Sequence, residues 1–351
     1  MRFPLTISSA LIFLGCAGSP PPTRAMVVAD AAPEASVATI DAAPDDAPDR
    51  GDLRCFTGEK ICAFVEVTDV VEKTLSALPE RSSWSFIVEH PDDAKLATLE
   101  RIPFVTTLKI DGDGVRSLQG LSKMTALRAL WVQGVTVKSL TSFLAPLAKL
   151  PAFDSIRLEV LYGTEDVDLT ALTQLARLKR VELAIDVGDL DALAKLPSLE
   201  SLTLSAISAK DFRFLAKLTG LRSLSLYDCS ITKLPSLSAL KHLERIDLNH
   251  DEGLTDFSAL ASLTALRVAG LSDSSISDLV PLSKLSALEE VYLARTKVVR
   301  LSPLAKSPNL RKVLVSRNVD PKEIESLQKS RPNATVEIWQ PPPGAPCCSD
   351  D

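Results

Sequence analysis

Leu221-Arg-Ser-Leu224-Ser-Leu226, Leu243-Glu-Arg-Ile246-Asp-Leu248 and Leu288-Glu-Glu-Val291-Tyr-Leu293 state one phrase three times: apolar-x-x-apolar-x-apolar. The phrase returns at Val105/Leu108/Ile110, Leu127/Leu130/Val132, Phe153/Ile156/Leu158, Leu178/Val181/Leu183, Leu199/Leu202/Leu204, Leu266/Ala269/Leu271 and Leu310/Val313/Val315, making ten copies at a period of about 22 residues. Its closing apolar residues alternate, as in a half-buried strand. Between phrases the apolar period lengthens to about three, as in Ile231, Leu234, Leu237 and Leu240 or Ile276, Leu279, Leu282 and Leu285, which predicts a helical or 3-10 return. Each copy is then one coil of strand, turn and return that delivers the next strand one sheet spacing away. A single coil buries too little apolar surface to offset the entropy of ordering it, so the coils must stack, pair their strands in parallel and carry special ends.

The returns also carry Pro-Leu at Pro146-Leu147, Pro281-Leu282 and Pro303-Leu304. With the strand phrases, this makes residues 84–339 resemble the leucine-rich repeat family, in its short bacterial class typified by internalins. The resemblance implies an α/β leucine-rich repeat solenoid, curved, with a parallel β-sheet on its concave face and short helices and 3-10 turns on its convex face, about ten repeats between N- and C-terminal caps. It also implies an inward asparagine after each strand. This chain has Asp113, Val135, Ile207, Cys229, Asp251, Ser274, Thr296 and Asn318 there, so the implied side-chain ladder is mixed.

The chain divides on these grounds into a leader (1–16), a tether (17–53), an N-terminal cap (54–104), the repeats (105–318), a C-terminal cap (319–339) and a tail (340–351). Arg2 followed by the apolar run from Phe3 to Leu14 reads as a signal peptide core, too short to span a bilayer. Leu14-Gly15-Cys16 resembles the bacterial lipoprotein cleavage site, with Phe13 in place of the usual leucine. That implies acylation at Cys16 and, with Ala17 rather than aspartate next, delivery to the outer membrane; an ordinary secretory signal is the other reading. The tether holds Pro20, Pro21, Pro22, Pro33, Pro44 and Pro48 among alanines and acids and cannot form a core.

In an exported chain, Cys55 and Cys62 read as a short-loop disulfide. Asp69-Val-Val-Glu72 has the form of a capping box opening a helix with Val70, Val71, Leu75 and Leu78 as its apolar residues. Trp84 and Phe86 then predict the first, irregular strand, and Ala94, Leu96 and Leu99 its return helix. At the other end, Asp320-Pro-Lys-Glu323 predicts a second boxed helix stopped by Pro332, with Val336 and Ile338 in a last strand. Cys229 takes an inward turn position and reads as a buried thiol, and Cys347 and Cys348 as an oxidisable end.

The 39 basic and 45 acidic residues leave −6, and the acid-rich first 52 residues with Asp350 and Asp351 hold all of it. Residues 53–349 are neutral overall, without the net positive charge that a phosphate backbone demands, so nucleic acid is a poor candidate and is not the expected partner. Chemistry is equally sparse. His90, His242 and His250 lie in no nucleophile-elbow, zinc-binding or phosphate-loop pattern, so neither a catalytic residue nor a metal or other cofactor is expected. Asn249-His250-Asp251-Glu252 reads as a solvated turn. Asp111-Gly-Asp113-Gly has the opening of a calcium loop but Ser122 where the bidentate glutamate belongs, which leaves turn chemistry. Asn333-Ala-Thr335 matches a glycosylation acceptor only incidentally.

Function is therefore expected on the open face of the sheet. Side chains alternate along a strand, so positions three, five and seven of each phrase point there while the leucines turn inward. This selects Trp131, Gln133, Arg157, Glu159, Arg180, Glu182, Ser225, Tyr227, Arg245, Asp247, Asn249, Glu290, Tyr292 and Lys312 as candidate ligand-binding residues. Aromatics mixed with arginines are what protein interfaces use as anchors, which predicts a protein partner for a monomeric, non-enzymatic protein held at the membrane by its N-terminal lipid alone. A glycan or cell-wall ligand stacking on Trp131, Tyr227 and Tyr292 is the second reading, and a regulatory subunit of an enzyme the third.

Overall fold

The computed structural model describes residues 53–340 apart from 57, 163–166, 186, 208 and 210. The leader with Cys16, the tether up to residue 52 and the tail with Cys347 and Cys348 lie outside the described residues.

The described strands form one 14-stranded sheet in chain order. β1 (Leu53–Phe56) and β2 (Ile61–Phe64) make an antiparallel hairpin in which Cys55 stands opposite Cys62, and the two are joined by a disulfide. From β2 onward every pairing is parallel: β3 (Ser85–Val88), β4 (Thr107–Asp111), β5 (Ala129–Gln133), β6 (Ser155–Glu159), β7 (Arg180–Ala184) and β8 (Ser201–Ser205). There follow β9 (Ser223–Tyr227), β10 (Arg245–Asp247), β11 (Val268–Gly270), β12 (Glu290–Leu293), β13 (Lys312–Val315) and β14 (Thr335–Ile338). The sequence places the first strand at Trp84 and Phe86. The structure corrects this, because Cys62 pairs beside Phe86 and the cysteine segment supplies two earlier strands. Trp84 is buried just ahead of β3, its indole N–H donating to the Pro79 carbonyl at 3.0 Å.

Alternation decides which side chains go inside. Leu130 and Val132, Leu202 and Leu204, or Leu224 and Leu226 are buried, and the residues between them stay half-exposed on the open face. Return leucines such as Leu147, Leu193, Leu215, Leu260, Leu282 and Leu304 close over them into one continuous core. Five of the returns begin on an aspartate that accepts the backbone N–H two residues on: Asp168 from Thr170, Asp189 from Asp191, Asp211 from Arg213, Asp256 from Ser258 and Asp278 from Val280, at 2.8–2.9 Å. Such a cap is worth about 1 kcal/mol. Many of the acids are thereby structural, and the Thr170, Arg213 and Ser258 bonds hold Asp168, Asp211 and Asp256 below the usual carboxylate range.

After most strands the chain bends through a left-handed residue. His90, Gly134, Val160, Ala206, Asp228, His250, Asp273 and Arg295 share this place, with φ between 46 and 67°. The next residue points inward at Val135, Ile207, Cys229, Asp251, Ser274 and Thr296, all buried. Asp113 and Asn318 are the corrections: both are exposed, Asp113 because Gly112 turns the chain at φ 139° and Val115 fills the interior instead.

The caps depart from the expected boxes. α1 (Asp69–Ser76) is capped by Thr68, not Asp69, while Asp69 and Glu72 turn to Arg101, and Val70 is 52% exposed. α2 (Asp93–Thr98) starts on Asp92, which accepts the Lys95 N–H. α3 (Leu140–Leu144) lies in a widened coil between β5 and β6. α4 (Pro321–Ser330) is capped by Asp320 as expected, but Glu323 accepts the Leu301 N–H of the preceding coil rather than reaching back. In β14, Ile338 is 46% exposed.

Candidate functional site

All fourteen candidate residues lie half-exposed on the open side of the sheet. Register then decides which of them meet. On the N-terminal coils, Lys109, Trp131, Arg157 and Glu182 stand side by side on β4 to β7. Lys109 Nζ lies 4.0 Å and Arg157 Cζ 4.1 Å from the centroid of the Trp131 ring, so the indole is held between two cations. Arg157 also pairs with Glu159 at 3.1 Å and Glu182 at 3.4 Å, and Lys109 with Asp111 at 3.1 Å. Burial raises the pKa of Glu182 against the opposing pull of Arg157 and Arg180. The row is a closed set of contacts: acid, cation, ring, cation, acid.

On the C-terminal coils Ser225 stands beside Asp247 and Glu290 beside Lys312, with β11 between the two pairs. Ser225 and Tyr227 lie on β9, Arg245 and Asp247 on β10 with Asn249 just after it, Glu290 and Tyr292 on β12 and Lys312 on β13. The Tyr292 hydroxyl donates to Glu290 Oε2 at 2.6 Å, and burial together with that acceptor pushes its pKa up. Lys312 pairs with Glu337 at 3.0 Å. Asn249 N–H donates to Asp247 Oδ1 at 3.0 Å, and burial raises the pKa of Asp247.

Several participants escape the sequence reading. Lys109 and Asp111 occupy positions five and seven of the copy that starts at Val105, so register alone could have named them. His250, Asp273 and Arg295 could not be found that way, since they occupy the left-handed turn. The His250 ring packs 4.8 Å from Tyr227, its Nε2 lies 3.6 Å from Asp273 Oδ2, Asp273 pairs with Arg295, and Arg295 sits 5.6 Å from the Trp339 ring.

The expected solvated turn at Asn249 to Glu252 is corrected at Asp251, which is only 1% exposed. Its Oδ1 accepts the N–H groups of Cys229 at 2.9 Å and Ile231 at 3.4 Å, stitching two coils together, while Oδ2 is buried without a partner. Burial lifts this carboxyl to about 6, with Asp228 and Asp247 adding to the shift. Cys229 is buried beside it, its thiol pushed to about 11 chiefly by burial. Charges at the strand starts are also matched coil to coil: Arg128 with Asp154 at 3.0 Å, Lys179 with Glu200 at 3.0 Å, Arg222 with Glu244 at 2.6 Å and Arg267 with Glu289 at 2.9 Å. Among the described residues no group of histidines, cysteines and acids is arranged to hold a metal, and no helix is long and apolar enough to cross a membrane.

Parallel strands stacked in register every 22 residues or so, backed by 3-10 returns over a leucine core, define a leucine-rich repeat solenoid. The family model described as leucine rich repeats (2 copies) matches residues 219–262. An internalin from Listeria monocytogenes superposes with a TM-score of 0.50 at 19% identity, covering 80% of this chain and 87% of that one. A second Listeria monocytogenes internalin, C2, is 26% identical over 62% of this chain and 83% of its own, with a TM-score of 0.39. Toll from Drosophila, in its complex with Spatzle, gives 0.50 at 13% identity over 80% of this chain and 43% of that chain. No curated protein matches the sequence. The protein thus has the fold of a leucine-rich repeat solenoid.

Proposed function

We propose that this protein is a non-enzymatic recognition module, exported and anchored to the outer membrane through Cys16, that binds a protein partner on the open face of its sheet. The carrying observation is the Lys109, Trp131, Arg157 and Glu182 row, whose side chains are already held by one another. A pre-ordered aromatic and charged surface loses little freedom on binding, which favours a large, flat partner. Toll, similar to this chain in fold, is found in a complex with Spatzle, which supports the reading.

The aromatics speak against the glycan reading. Trp131 has cations on its ring, Tyr227 is packed by His250, and β5, β9 and β12 are separated by about 5 Å per strand, so the three rings form no common platform. Capture from envelope extracts with the full chain tests the proposal against a variant carrying Trp131→Ala, Arg180→Ala, Tyr227→Ala and Tyr292→Ala. A partner held by the parent and released by the folded variant supports recognition by this face. Equal capture by both refutes it.

A further inference from the structure

The sheet has two ends, and they are finished differently. At the first, the edge strand β1 carries Arg54, exposed and tied to Glu89. A charge on an edge strand, like a proline or a bulge, keeps another strand from adding to it. At the second end, β14 reads Thr335-Val-Glu-Ile338, with no lysine, arginine or proline, and keeps unbroken register with β13 from Thr335 opposite Lys312 to Ile338 opposite Val315. Its charge, Glu337, is already paired with Lys312 at 3.0 Å. Among the described residues β14 is the outermost strand, and its inward side chains show the consequence. Ile338 is 46% exposed and Val336 half-exposed, where their neighbours in β13, Val315 and Val313, are fully buried.

The backbone of this edge is ordered for pairing. The Thr335 and Trp339 N–H groups donate to the Arg311 and Val315 carbonyls at 2.8 Å, so the backbone groups of Thr335, Glu337 and Trp339 turn toward β13. Alternation along the strand then turns the N–H and C=O groups of Val336 and Ile338 outward. Ala334 gives its N–H to the Arg331 carbonyl at 3.0 Å, and its own carbonyl continues the outward row.

We propose that β14 pairs antiparallel with the β14 of a second copy of this chain, about a two-fold axis through Val336. The occupant follows from self-complementarity. Such an axis brings open face to open face, so only residues that share a face can stand opposite each other. With Val336 on the axis, its N–H and C=O bond to those of the same residue in the copy, and the Ile338 N–H meets the Ala334 carbonyl of the copy. Val336 then packs on Val336 and Ile338 on Ala334, which carries the apolar core across the junction. On the open face the exposed Thr335 comes beside the Glu337 carboxylate. Moving the axis to Glu337 would set two carboxylates directly opposite. Moving it to Thr335 would pair Val336 and Ile338 with Ala334 and Pro332, neither of which has an N–H to return. The two-fold closes the pair, so assembly stops at two. This pairing uses the end of the sheet and not its open face, and it makes a dimer of a chain expected to be a monomer.

Sedimentation velocity of the full chain, from low micromolar to near-millimolar concentration, tests the pairing. The parent should pass from monomer to dimer and stop there. Ile338→Lys places an inward charge at the junction and should weaken the dimer about tenfold or more, and Thr335→Glu, which sets like charges beside Glu337 on both sides of the axis, should weaken it severalfold. Thr335→Lys brings the opposite sign to Glu337 and should dimerise at least as well as the parent. Thr335 and Ile338 are both exposed, so all three variants should keep the circular dichroism of the folded parent. A parent that stays monomeric, an assembly that grows past two, or dimerisation undiminished in Ile338→Lys and Thr335→Glu overturns the proposal. So does a dimer that forms only after residues 341–351 are removed, since the tail and not a second copy would then occupy the edge.

Discussion

The coils from β4 to β8 and those from β9 to β13 share a backbone plan and differ in where they place polar groups. The first set joins Lys109, Trp131, Arg157 and Glu182 on the open face, leaves Trp131 Nε1 and Gln133 Oε1 buried without hydrogen-bond partners, and fills its inward turn positions with Val135 and Ile207. The second keeps Cys229, Asp251, Ser274 and Thr296 inside, where Ser274 and Thr296 hydroxyls donate to the Leu271 and Leu293 carbonyls at 2.6 and 2.8 Å, and leaves open-face acceptors unpaired. Strands shorten with this change, from five residues in β8 and β9 to three in β10 and β11. Repetition of a fold thus does not repeat its chemistry: both halves keep unpartnered polar atoms on the open face, and they differ at the inward turn, apolar in one half and polar in the other.

The core is what the halves hold in common, and it should respond alike. Leu130→Ala and Leu248→Ala each remove a fully buried side chain and should each cost about 2–5 kcal/mol in urea unfolding. A large loss in one half with almost none in the other would show that the coils do not share one cooperative core.

The inward turn should separate the halves. Asp251→Ala strands the Cys229 and Ile231 N–H groups and is expected to cost about 2–3 kcal/mol, against about 1 kcal/mol for Val135→Ala, which loses apolar contacts only. Asp251→Asn keeps the acceptor and removes the buried charge, so it should be more stable than the parent by about 1–2 kcal/mol at pH 7. The sign follows from a folded-state pKa raised to about 6 from 3.8: the native state binds the extra proton, so this contribution is full below pH 4 and is lost as the pH rises through 6. The stability difference between parent and Asp251→Asn should therefore grow from pH 4 to pH 7, and a constant difference would contradict the buried carboxylate.

On the open face, Trp131→Ala should cost about 1–2 kcal/mol, since two cations lose their ring. Tyr292→Phe should cost less, about 0.5–1 kcal/mol, because it removes one hydrogen bond to Glu290. Thermal melts that rank the two the other way would mean that the C-terminal face is the more tightly organised one.

The smallest effect belongs to the left-handed turn. Val160 is a β-branched residue at φ 48°, in a place occupied by Gly134 one coil earlier and by Asp228 and Asp273 in the C-terminal half. Val160→Gly should stabilise by up to about 1 kcal/mol through relief of that strain, whereas Asp273→Gly, which also loses Arg295, should not.

The legible part of this protein was what recurs locally. Period-two alternation named the inward leucines and placed all fourteen open-face residues on one side, because a strand sends successive side chains to opposite faces whatever lies next to it. The Cys55 and Cys62 pairing was legible as well, since seven residues suffice for a hairpin that sets them opposite each other. The two strands of that hairpin went unread, having no leucine phrase to announce them. Which candidates touch was not legible. Arg157 meets Trp131 only because the 26 residues from Leu130 to Ile156 still bring their strands into register, the excess being taken up in α3 and the widened return. Likewise Gly270 stands between Asp247 and Tyr292 because coils 23 and 22 residues long align the three strands. Local alternation decides the face of a side chain, while its neighbour is set by the length of a whole coil and by what the adjacent coil places beside it, and that only the tertiary structure decides.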